Sequence, residues 1–274
     1  MAEPLSALSN DVRMVRHLIR GRIRSELQYR VSFGLFVIAQ MVVALLDVIA
    51  IVALFSKVRS IGGWSREQVL FLYAVSAVGF GLADMTVSSV ELTAQWVRLG
   101  TFDRVMLRPA GTLAQMLGYE FELRRVGRSV TPFIVLIVTA RLAHIAWTPG
   151  KVGLVLVAIV SSALIFAALF VITSSLAFWI PSTQEVANAF TYGSNTAASF
   201  PTHVVVGWLR FWLLGPVPVS LCAYAPLIRV LGAPNPLGLP TWLQLGGPLC
   251  FVPFIVVARF VWRLGNRHYR STGS

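Results

Sequence analysis

Charge is scarce in this chain, and acid is scarcer still. Asp, Glu, Lys and Arg make up 12% of 274 residues, with 11 acids against 23 bases, while 56% of the chain is hydrophobic. Soluble domains carry roughly twice that charge, so a large soluble core is excluded and a multispanning membrane protein is expected. There are two cysteines, Cys222 and Cys250, in or near apolar segments. They lack metal-ligand spacing, and their number alone does not argue a disulfide. No His/Cys/Asp cluster has metal spacing and no Ser-His-Asp order stands out, so neither a metal site nor catalysis is expected in this chain. Gly150-Lys151 is not a phosphate loop, because Val152 stands where Ser or Thr belongs and Ile145 where the first glycine belongs. Hydrolysis of ATP by that route is excluded. A cleavable signal peptide, a soluble domain, a low-complexity tract and a clear internal repeat are all missing. The net charge of +12 raises nucleic acid as a partner. The arginines, however, flank apolar runs, where topology signals and anionic headgroups place them, so the lipid bilayer is the expected partner and nucleic acid is not.

What is present is a single all-α membrane domain over residues 1–274. Val12, Val15, Leu18, Ile19, Ile23 and Leu27 recur at helical spacing opposite Arg13, Arg16, Arg20 and Arg24. This predicts an amphipathic interface helix over about 11–30. Six transmembrane spans follow, at about 31–55, 68–90, 130–146, 152–178, 185–200 and 241–261. Ser65 and Gln68 form a capping box before the second span. Pro201, Pro216, Pro218 and Pro226 argue against a straight crossing over 201–227, which reads as a re-entrant hairpin dipping into the outer leaflet. An even span count puts both termini on one side. Sixteen Lys and Arg lie in the N-terminal segment, the loop 91–129 and the tail, against seven on the other side, which makes the first side cytoplasmic.

Three groups of residues stand out. The loop Glu91–Ser129 carries Arg98, Arg104, Arg108, Arg124, Arg125 and Arg128 between two apolar runs, and so must lie in water or in a partner's groove. Its apolar Phe102, Val105, Met106 and Leu107 sit among Arg98, Asp103, Arg104 and Arg108, which suits a short helix pressed into a partner's cleft. A solvated juxtamembrane loop is the plainer alternative. Inside the spans, Gln40, Asp47, Asp84, Asn188 and Asn195 are polar. Asp47 falls near the bilayer middle, where a charge is expensive and faces a bundle interior. It reads either as a substrate-path or subunit-interface carboxylate, or as a packing residue. Asp84 lies about 9 Å from the cytoplasmic end, within reach of headgroups or an arginine. The third group, Trp208, Trp212, Pro216, Pro218 and Tyr224, reads as an outer gate or an interfacial aromatic belt.

The motif Gly100-Thr101-Phe102-Asp103-Arg104-Val105-Met106-Leu107-Arg108-Pro109 after the second span resembles a signature of the permease subunits of ABC-2 type ATP-binding-cassette exporters. Met106 stands where that signature has leucine. The likeness continues at Arg124-Arg125-Val126-Gly127-Arg128, Phe178-Trp179, Phe200-Pro201, Trp208-Leu209-Arg210 and from Pro218 to Pro226. The resemblance implies a coupling helix in the loop 91–129, with Leu99, Gly100, Phe102, Asp103, Arg104 and Arg108 at the ATPase contact and a smaller contact at Pro181–Glu185. It implies a cytoplasmic ABC ATPase dimer that binds ATP and magnesium, a second permease subunit identical or homologous to this one, and no cofactor in this chain. The expected role is export of a hydrophobic or amphipathic compound, drug-like, lipid or glycolipid, across a bacterial plasma membrane. The alternatives are an ion- or proton-coupled secondary transporter and a non-transporting anchor or regulatory subunit for an ATPase. Fold alone does not choose a cargo.

Overall fold

The computed structural model describes residues 19–269 apart from 22, 109, 120, 121, 181 and 183. Residues 11–18 and 22 of the amphipathic helix expected over 11–30 therefore lie outside the described residues, as do Pro109, Glu120 and Pro181. Residues 19–28, 22 aside, are helical. The described chain is all-helical, with one isolated bridge between Ile61 and Trp64.

Helix α1 (Arg30–Phe55) extends about 39 Å, enough to cross a bilayer with tilt. Helix α2 (Arg66–Val87) opens with the Ser65–Gln68 capping box and passes into a 3-10 turn, Ser88–Leu92. Three short helices, α3 (Thr93–Arg98), α4 (Asp103–Met106) and α5 (Thr112–Tyr119), make the charged loop. A 3-10 turn, Leu123–Val126, runs into α6 (Gly127–Leu142), whose last turn is closed by Trp147 Nε1 donating to the Ala140 carbonyl. That turn and that closure move α6 ahead of the expected 130–146. Next come α7 (Pro149–Ser175) and α8 (Gln184–Ala198). Helices α9 (Gly207–Leu214), α10 (Val219–Cys222) and α11 (Tyr224–Leu231) follow. The chain ends with α12 (Thr241–Gly246) and α13 (Phe251–His268).

Among the described residues, four helical stretches are long and apolar enough to span: Arg30–Phe55, Arg66–Arg98, Pro149–Phe178 and Thr241–His268. A fifth is reached if α9 and the run Val219–Leu231, bent by 61°, count as one. Helices α6 and α8 reach only about 24 and 22 Å, against a hydrocarbon core of about 30 Å. The last helix outruns its expected end at 261 because its arginines stay exposed while Trp262 and Gly265 are buried.

Helix α2 is the centre. It is apolar all round and buried on nearly every face, as a helix enclosed by others must be. It packs on α6 and α7, α7 packs on α13, and α1 leans on α6. No hydrophobic force joins helices in lipid, so close approach of small residues carries the packing. A Cβ on Gly79 would come within 2.5 Å of Ser162 Cβ on α7, and one on Gly81 would strike Ser129 Oγ on α6. In α1 only Ala44 and Ile51 are buried.

The two ends of the bundle differ. At one end the loop 91–129 meets the start of α6, the end of α7 and the end of α13. At the far end the turn Ile61–Trp64 is the anchor. His203 Nε2 bonds the Gly62 carbonyl at 2.9 Å, and Trp64 Nε1 donates to Pro234 at 3.2 Å. The segment from 203 to 234 therefore leaves from and returns to one and the same turn.

Candidate functional site

The loop 91–129 folds into a platform because Ala94, Val97, Phe102, Val105 and Met116 are buried beneath it. Phe102 is fully buried, edge-on to Phe178 after α7 and to Tyr269 after α13, each with ring centroids 5.1 Å apart. Gly100, at φ +67, supplies the left-handed turn that brings it there. Asp103 accepts from Tyr269 Oη at 2.9 Å. Burial, then that bond, pushes the Tyr269 hydroxyl up to about 12, so it stays a donor. Gln115 donates to the carbonyls of Val105 and Ala110, holding α5 beneath α4. Thr112 Oγ1 accepts from Trp262 Nε1 and from Asn266 Nδ2. The platform is thus bolted to α7 and α13.

Its other face is free. Leu99, Met106 and Leu107 are 56%, 46% and 85% exposed, beside exposed Arg98, Arg104 and Arg108. A groove of about 320 Å³ opens beside them, lined by Trp96, Leu99, Arg104, Arg108 and Tyr119 among others. The spacing grouped Phe102 with these knobs, and the structure corrects that: Phe102 is a pin on the inner side. On a four-residue helix no periodicity separates the two faces.

Behind the platform lies an ion network. Asp84 of α2 is fully buried and accepts from Arg125 Nη1 at 2.6 Å and Arg128 Nη1 at 2.9 Å, with Tyr192 Oη at 3.4 Å. Arg125 also bonds Glu122. Burial raises the Glu122 carboxyl, but the bond and charge of Arg125, with those of Arg124, outweigh it and hold the acid below its ordinary value. The Arg128 guanidinium lies over Phe80 and Tyr192, at 5.5 and 5.3 Å from the ring centroids. Four elements, α2, the turn Leu123–Val126, α6 and α8, share this one cluster.

The other polar residues singled out from the sequence do not join it. Gln40 sits against Gly127, where α1 and α6 approach closely. Asn188 lines a cavity of about 10 Å³ with Glu91, Thr173 and Ser174. Asn195 has a buried Oδ1 without a partner among the described residues. Asp47 is exposed on α1, on a side that feels the charge of Arg128.

With this geometry in place, a family model described as ABC-2 family transporter protein matches residues 41–273. The chain belongs to the ABC-2 transporter family. No curated protein and no solved structure gives a match. Membership makes this ABC-2 protein a multi-pass membrane component of transport, and it carries with it association with an ABC ATPase.

At the far end of the ABC-2 chain, Tyr224 is buried, stacked on Trp64 with ring centroids 5.3 Å apart. Its hydroxyl pairs with His203 Nδ1 at 2.8 Å. Pro218 is buried, Trp212 packs on Phe190, and Trp208 and Pro216 are exposed. The five residues are therefore not one lining. Tyr224 belongs to a brace that sequence reasoning missed, made with Trp64, His203 and Gly62. Gly62 is required there: its φ is +57, and a Cβ would fall on the His203 ring. Cys222 and Cys250 are also brought together, with thiols 3.5 Å apart.

Burial lowers the His203 pKa, the Gly62 carbonyl partly restores it, and Arg210 lowers it further. The neutral ring fits its place, donating from Nε2 to Gly62 and accepting at Nδ1 from Tyr224. Because the folded value lies below the ordinary value of about 6.5, the unfolded chain takes the proton first. The stability this brace contributes is complete above that value and declines as pH falls through the folded one. Thermal melts of the micellar protein should drop over that acid window, and a His203→Gln variant should lose that part of the drop.

Proposed function

We propose that this chain is the permease of an ATP-driven exporter, one of two such halves, identical or homologous, working with a cytoplasmic ABC ATPase dimer that holds ATP and magnesium. The platform faces the cytoplasm of a bacterial cell, and the ATPase docks on Leu99, Arg104, Met106, Leu107 and Arg108. The observation that carries this reading is the two-sidedness of the platform. Apolar knobs ringed by arginines are exposed on one side, while Phe102 and Asp103 are fastened to the ends of α7 and α13 on the other. A push on the outer face reaches two long helices through rigid contacts, which is what a coupling element must do. Gly100 sets the turn that divides the two sides.

Helices α6 and α8 complete six spans by thinning the bilayer around them. The return of the segment 203–234 to the turn Ile61–Trp64 supports a re-entrant hairpin. An α1 that buries little of itself, only Ala44 and Ile51, supports a second permease against that helix. The cargo is hydrophobic or amphipathic.

The test is co-purification with its partner ABC ATPase. Leu107→Asp with Arg108→Glu should cut recovery of the ATPase by at least about tenfold, the loss expected when an apolar anchor and a reversed charge sit in one interface, while the permease inserts and melts normally. Undiminished recovery and transport would place the docking surface elsewhere.

A further inference from the structure

Beside the platform, a groove of about 520 Å³ runs along α13, between it and α7, floored by α5. It has the size of a ligand pocket. Its length is apolar, walled by residues such as Leu164, Ala167 and Ile255, and its platform end is polar. There Arg259 and Arg263, one turn apart on α13, are exposed, and neither has an acid partner among the described residues. Arg259 lies about 14 Å inside the end of the helix, at a depth where a bare guanidinium is costly. The same end holds an acceptor in need of a donor: the buried Asn266 Oδ1 has no partner among the described residues. It also holds a donor in need of an acceptor, because Thr112 Oγ1 receives two bonds and its own proton is uncommitted.

We infer that this groove binds a glycerophospholipid of net negative charge whose headgroup carries hydroxyls, with one acyl chain along α7 and α13 and the phosphate at Arg259 and Arg263. A phosphate answers both guanidiniums and the Thr112 hydroxyl, and a headgroup hydroxyl answers Asn266 Oδ1. Acyl chains suit the apolar walls. A zwitterionic choline lipid brings neither the net charge nor the donor. The site goes beyond the transport reading and does not rest on it: it needs a bilayer but no ATPase, cargo or second permease.

The test uses the full chain, purified, delipidated and titrated in micelles with phosphatidylglycerol or phosphatidylcholine, with bound lipid counted by native mass spectrometry. Wild type should retain phosphatidylglycerol at least about tenfold more tightly, the scale expected for two arginines at an anionic headgroup. R259Q/R263Q, exposed and safe for folding, should bring the two lipids within about twofold of each other. Ala167→Trp, which fills the groove and leaves its charge alone, should lose both. A photo-crosslinker at Ala167 should capture lipid. Equal retention of the two lipids by wild type, or a preference untouched in R259Q/R263Q, overturns the inference. Displacement by soluble glycerophosphoglycerol alone, or capture of a second copy of the chain at Ala167, overturns it as well.

Discussion

Asp84→Asn is expected to destabilise the micellar protein by about 3 kcal/mol, the lower end of the cost of breaking a buried ion pair from one side. The amide keeps the shape and removes the charge, so Arg125 and Arg128 lose their common anion at once. Arg125 still has Glu122, and Arg128 still has the faces of Phe80 and Tyr192. Both guanidiniums are also about a quarter exposed, which is why the lower end applies. Thermal or denaturant unfolding measures the loss, and a midpoint unchanged from wild type would refute the role given to Asp84. A double-mutant cycle with Arg128→Ala should give a coupling energy of about 1–3 kcal/mol. Arg128→Lys should recover little, because an ammonium keeps the charge but not the planar group lying over two rings.

That cluster also marks where sequence reasoning stopped. Local features were legible. The capping box at Ser65 and Gln68 involves neighbours in sequence, and α1 and α7 announce themselves by length and hydropathy. The broken segment after Pro201 was legible from its prolines. What joins distant parts of the chain was not. Asp84 meets Arg125 and Arg128 across 41 and 44 residues, and a pairing between a span and a loop beyond it leaves no periodic trace. For Asp84 the choice between headgroups and an arginine stood open on the sequence, and the fold puts two arginines on it. The same holds for His203 and Gly62, 141 residues apart, whose contact shows that the broken segment comes back to its starting turn. The sides of the short platform helices were hidden for another reason. Four residues make barely one helical turn, so Phe102 and Leu107 look alike in sequence while one is fully buried and the other is 85% exposed.

This contrast sets the second large effect. Phe102→Ala should cost about 3–5 kcal/mol, as deletion of a buried ring does when its cavity cannot collapse, with edge-to-face contacts to Phe178 and Tyr269 adding to the loss. The consequence is local. The platform is fastened to α7 and α13 largely through this ring and the Asp103–Tyr269 bond, so its removal should free the segment 99–108 before the bundle melts. Limited proteolysis after Arg104 should accelerate, and hydrogen exchange in α4 should rise. Leu107→Asp should do the reverse: stability within about 0.5 kcal/mol of wild type, as for other exposed positions, but loss of the ATPase. In Phe102→Ala the docking face keeps its residues, so the ATPase should still be recovered while ATP-dependent transport falls away. The pair of variants therefore separates holding the motor from transmitting its stroke. If Phe102→Ala instead melted, resisted protease and transported like wild type, the ring would not be the pin, and force would have to enter the bundle by another contact.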